Sequence, residues 1–88
     1  MTIPEFEQLT AGTNLLHERY GPIAVICMYP GWGFSFEPLT EFGKKVLYRD
    51  NQPAFFPIDH CYKIQRITAE SVEKFDPNKG FKFSTYAT

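Results

Sequence analysis

The sequence predicts a mainly β domain: a small, strongly curved sheet of about five antiparallel strands with short terminal helices. Three observations carry this. Short apolar and aromatic runs recur between residues 14 and 67, each bounded by proline, glycine or an Asp-Asn pair. Aromatic residues make up 17% of the chain, with nine Phe, five Tyr and one Trp, and such residues favour strands and bury large areas. A Tyr20-Gly21 corner between two alternating runs, then Pro30-Gly31-Trp32-Gly33, supplies two tight turns in the first third.

Taken in order, Thr2 and Glu5 have the spacing of a capping box, and Pro4 is tolerated in a first helical turn. A short helix over residues 3–9 would place Phe6 and Leu9 on one side, ending before Gly12. Residues 14–19 read as a strand and Tyr20-Gly21-Pro22 as the corner after it. Ile23 to Tyr29 is the most apolar run, and its length between Pro22 and Pro30 argues strand over helix. Pro30 to Gly33 forms a turn, and Phe34 to Glu37 resumes as a strand with Phe34 and Phe36 on one face.

Pro38 to Gly43 reads as a connection, followed by Lys45-Val46-Leu47-Tyr48-Arg49 and then the turn signal Asp50-Asn51-Gln52-Pro53. Ala54 to Phe56 is a short strand stopped by Pro57. Residues 57–60 suit one 3₁₀ turn, and Tyr62 to Ile67 a last strand. Thr68 would cap a brief helix through Phe75, broken by Asp76-Pro77. Residues 78–88 alternate through Phe81, Phe83 and Tyr86 and would form an edge strand or a tail. The expected division is an extension over 1–11, a curled barrel over 12–67 and a helix with tail over 68–88. At most two short helices are expected.

With Gly12, Leu15, His17, Tyr20, Gly21 and Val25 at these offsets, the chain resembles the SH3-like, Tudor-like barrels at the C-termini of UvrD/PcrA-type repair helicases. It also resembles the polymerase-interacting modules of CarD-type regulators and transcription-repair coupling factors. The resemblance implies that Gly43, Leu47 and the Phe56–Ile64 segment stand at the later strands and the closing 3₁₀ turn. It also implies a protein partner, such as a transcription or other nucleoprotein complex. Ile23 replaces the family's second glycine, and the Pro30–Gly33 loop has no family counterpart.

An 88-residue domain leaves little room for a deep core plus a roomy catalytic cleft. No carboxylate pair has acid/base spacing, and Gly31-Trp32-Gly33 is too short and too aromatic to cradle phosphate. Asp59-His60-Cys61 invites a thiol reading, but consecutive residues of an extended chain point to opposite faces. Cys61 is expected to be buried and inert. His17, Cys27, His60 and Cys61 lack the paired spacing of structural zinc, so no metal or other cofactor is expected. His17 is expected beside the Tyr20-Gly21 corner with one ring nitrogen hydrogen-bonded. The acidic start has no apolar run and no segment matches a membrane span, which predicts a cytoplasmic protein with reduced thiols.

What remains is a surface. Tyr29, Trp32, Phe34 and Tyr48 are candidates for one exposed aromatic patch, since Trp and Tyr dominate interface energetics. Between two glycines, Trp32 either folds over Tyr29 and Phe34 as a lid or projects toward a partner. The favoured function is a non-enzymatic protein-binding module: a small regulator, adaptor or inhibitor, a format common among phage-encoded proteins. The second reading is a nucleic-acid-binding module using Lys44, Lys45, Arg49 and the aromatics, and a small enzyme is third. Nine Lys and Arg against ten Asp and Glu give a net charge of −1, which places nucleic acid second.

Overall fold

A computed structural model of the chain describes residues 1–74. The expected end of the last helix at Phe75 and the alternating run of residues 78–88 lie outside them. The elements follow the order α1 (Ile3–Glu7), β1 (Asn14–His17), β2 (Gly21–Tyr29), β3 (Gly33–Pro38), α2 (Glu41–Asp50), β4 (Phe55–Pro57), a 3₁₀ segment (Ile58–Lys63), β5 (Gln65–Arg66) and α3 (Ala69–Glu73). The five strands form one antiparallel sheet in the order β4-β3-β2-β1-β5.

The long β2 serves two neighbours in succession. Gly21 to Ala24 pair with β1, whereas Ile23 to Tyr29 pair with β3. Its register slips between Val25 and Cys27, and such a bulge bends the strand and raises its twist. The last strand returns to the first, with Leu15 opposite Arg66 and Leu16 opposite Gln65.

Aromatic rings fill the core. Phe6, Phe34, Phe36 and Phe56 are buried with Leu15, Ile23 and Ile64. Phe34 stacks on Phe56 at 5.5 Å between ring centroids, and Phe6 reaches Phe34 at 5.3 Å. The expected capping box holds α1: Thr2 Oγ1 accepts from the Glu5 amide, and the Glu5 carboxylate accepts from the Thr2 amide. That five-residue helix is too short to persist alone, so Phe6 docking secures it.

The structure departs from expectation at two places. Lys45 to Arg49, with Gly43 and Leu47, lie on helix α2, not at later strands. Thr40 caps that helix by accepting from the Gly43 amide at 3.2 Å, and Asn51 closes it in a left-handed conformation. Phe42, Val46 and Leu47 share its inner side while Lys44, Lys45, Tyr48 and Arg49 are exposed, a helical period. There are accordingly three α-helices among the described residues, one more than expected. The 3₁₀ segment runs on through Lys63, which shortens the last strand to Gln65–Arg66. Thr68 caps α3 as expected, accepting from the Ser71 amide.

Candidate functional site

The Pro30–Gly33 turn fixes the backbone of Trp32 from both sides. The Trp32 amide donates to the Tyr29 carbonyl at 2.9 Å, and the Trp32 carbonyl accepts from the Ile58 amide at 2.8 Å. Gly33 follows with φ +149°, and a Cβ there would lie 2.0 Å from the Phe56 carbonyl oxygen. Only glycine lets β3 and β4 approach so closely at this corner. The indole itself is 75% exposed. It therefore projects from a fixed turn, and the alternative of a lid over Tyr29 and Phe34 does not hold.

Beside the indole lies a shallow groove of about 450 Å³, lined by Tyr29, Trp32, Ser35, Pro53, Ala54 and Phe55. Tyr29 and Phe55 face each other at 6.0 Å between ring centroids and are both partly exposed. Among the described residues, no charged side chain lines the groove.

Of the residues expected to form an aromatic patch, only Tyr29 and Trp32 come together here. Phe34 is fully buried, 0% exposed, because β3 turns Phe34 and Phe36 inward toward Phe6 and Phe56. It cannot contribute to a surface. Tyr48 is 90% exposed but stands on α2, beside a separate concavity shared with Lys44, Leu47 and Gln52. Lys44, Lys45 and Arg49 share the exposed side of α2, and Lys44 meets Glu41 at 3.8 Å.

Ser35, Pro53, Ala54 and Phe55 are the groove residues absent from the sequence-based expectation. Period-two alternation in β4 was the available signal, since a buried Phe56 requires an outward Phe55.

Across the Pro53–Phe55 ridge lies a second, more polar cleft of about 390 Å³. His17, Glu18, Arg19, Gln52, His60 and Lys63 supply its polar lining. His17 sits as expected at the Tyr20-Gly21 corner, 4.6 Å from the Tyr20 ring, with Phe36 and Phe56 at 5.6 and 5.5 Å. Its Nδ1 accepts from the Arg19 amide at 3.0 Å and, more weakly, from that of Tyr20. Burial first, and then the Arg19 charge, push its pKa down to about 4, so the ring is neutral at pH 7. With Nδ1 accepting, the proton resides on Nε2.

Arg19 closes this end of the molecule. Its Nε and Nη2 donate to the Asp50 carboxylate, which also accepts from Tyr20 Oη at 3.0 Å. The Arg19 hydrogen bond chiefly holds the Asp50 pKa down to about 2. The same network raises the Arg19 pKa, while burial first, then Asp50, raises that of Tyr20. These partners are 31 residues apart in sequence, and no local pattern announces the pair.

The thiols sit apart from this surface. Cys61 is buried in the core, whereas its neighbour His60 is exposed, stacking on Tyr62 and meeting Phe56 edge-on. Cys27 is exposed on β2, and both cysteines are free. Among the described residues, no three His, Cys, Asp or Glu side chains gather as metal ligands. Nor is any helix there long and apolar enough to cross a membrane.

Comparison with protein-family models, with curated proteins and with solved structures finds no match to this chain.

Proposed function

We propose that the chain is a protein-binding module of SH3-like architecture, a small cytoplasmic regulator, adaptor or inhibitor that acts by docking rather than by catalysis. Support for the architecture comes from the strand order, the bulge in β2, and the 3₁₀ segment between β4 and β5. Of these, the 3₁₀ segment is the feature that the resemblance to the helicase-associated and CarD-type barrels implies. A fold of this kind does not dictate its partner, so the functional reading rests on the surface.

One observation carries it. An exposed apolar groove ends in an indole whose backbone is bonded on both sides, N–H to Tyr29 and C=O to Ile58. A fixed backbone lowers the entropy lost on binding, and an aromatic side chain with only two rotatable bonds adds large contact area at low further cost. Affinity capture with the intact protein tests the reading. Trp32→Ala should keep its melting temperature but lose the captured protein, while Tyr48→Ala should retain it. Capture that survives Trp32→Ala would remove the groove from the interface. So would blue-shifted, quencher-resistant tryptophan emission in the free protein.

A second reading, nucleic-acid binding, draws on the alignment of Lys44, Lys45, Arg49 and Tyr48 along the exposed side of α2. Glu41 beside Lys44 weakens it, as does the net charge of −1.

A further inference from the structure

The apolar groove and the polar cleft are contiguous. Pro53 and Phe55 line both, so anything lying across that ridge meets both surfaces. The two halves differ in chemistry. The groove offers rings, Pro53 and Ala54, with Ser35 its one non-aromatic polar side chain among the described residues.

The cleft is dominated by donors. His17 Nε2 carries a proton, has no partner among the described residues and is not sealed from solvent. The His17 and His60 imidazoles both meet the Phe56 ring edge-on, at 5.5 and 6.5 Å between ring centroids. Lys63 and Gln52 complete the donor set, and Arg19 retains Nη1 after its two bonds to Asp50. Glu18 is the one acid lining the cleft among the described residues.

Backbone pairing is a poor way to use this edge of the sheet. Pro57 has no N–H, and the Phe55 amide already donates to the Pro53 carbonyl at 2.8 Å. A ligand must therefore be read through its side chains. We infer that groove and cleft together form one docking surface for an extended protein segment carrying apolar side chains next to carboxylates. The apolar part lies against Trp32, Tyr29 and Phe55, and the carboxylates accept from His17 Nε2, Lys63 and His60. This rests on the protein-binding reading above and specifies the partner's chemistry.

Three acetylated, amidated peptides test it: Pro-Leu-Pro-Leu followed by three Asp, three Gln or three Lys. The single tryptophan, Trp32, reports binding to the intact protein by fluorescence. The Asp peptide should bind tightest and the Lys peptide weakest, about tenfold or more apart. Lys63→Glu should collapse that order, Glu18→Gln should tighten the Asp peptide, and Trp32→Ala, followed by anisotropy of labelled peptides, should weaken all three. Equal, Trp32-dependent binding of all three peptides would overturn the cleft's role and leave the groove reading standing. Charge-ordered binding that ignores Trp32→Ala would uphold the cleft but overturn the joint surface. An unmoved Trp32 emission with every peptide would overturn the inference; the groove reading would then stand or fall with Trp32-dependent capture.

Discussion

At His17, three aromatic rings and two backbone amides surround one imidazole, and burial decides its charge. In the unfolded chain the ring takes a proton near pH 6.5; in the fold it does so only near pH 4. The unfolded state thus binds more protons between those values. Stability contributed by the neutral ring is complete above about pH 6.5 and is lost progressively as pH falls to about 4. For a partly exposed ring, discounted for screening, the loss is on the order of 2 kcal/mol. Urea titrations at pH 7 and pH 4 should show it, and His17→Asn should flatten that slope. An unchanged slope in the variant would place the pH dependence elsewhere. The setting of His17 was legible because the Tyr-Gly corner that starts three residues on is a local signal. Phe34 was misjudged for the opposite reason: alternation shows that Phe34 and Phe36 share a face, but only pairing with β2 and β4 decides that the face is inward.

Helix α2 is where local pattern and family resemblance pulled apart. Its cap, Thr40 with Glu41 following, and its Phe42, Val46, Leu47 spacing were both present in the sequence. The strand reading of the resemblance at Gly43 and Leu47 obscured them. Gly43 has a different function from the one the resemblance gave it. A Cβ there would meet the Tyr20 carbonyl oxygen at 2.3 Å and Pro38 Cβ at 2.9 Å, so the glycine lets α2 lie directly on the Tyr20 corner. At the other end Asp50 places an anion at a helix C-terminus, an unfavourable position for the dipole, and Arg19 and Tyr20 offset it. Tyr20 is therefore gripped from both ends of the helix. Gly43→Ala should destabilise the fold by about 2 kcal/mol through overpacking against backbone, with the helix itself intrinsically favoured. Thermal melts check this, and a neutral or stabilising result would mean that α2 can shift off the corner. The Asp50 contribution is present above about pH 4 and is lost as pH falls toward 2. Asp50→Asn should remove that part of the acid transition.

At the scale of the whole molecule, the aromatic load divides between two tasks. Phe6, Phe34, Phe36, Phe56 and Tyr20 make the core of a small sheet, while Tyr29, Trp32 and Phe55 at the groove and Tyr48 and Tyr62 elsewhere are left to the surface. Composition showed the surplus, but assigning each ring needed the long-range strand order. Charge divides less decisively. The described cations include three on α2 and two at the polar cleft, where Arg19 is engaged by Asp50. Non-specific nucleic-acid affinity comes from neutralised phosphates, and its salt dependence scales with their number. With Lys44 shared with Glu41, α2 offers about two or three contacts, too few for appreciable affinity at physiological salt. Mixed-sequence DNA and RNA should therefore give no mobility shift with the intact protein under those conditions. At low salt any residual binding should fall with a log–log slope of about −2 to −3 and vanish in a Lys45→Glu, Arg49→Glu variant. A clear shift at physiological salt that those two substitutions abolish, with Trp32→Ala leaving it unchanged, would put nucleic acid first and move the functional face from the groove to α2.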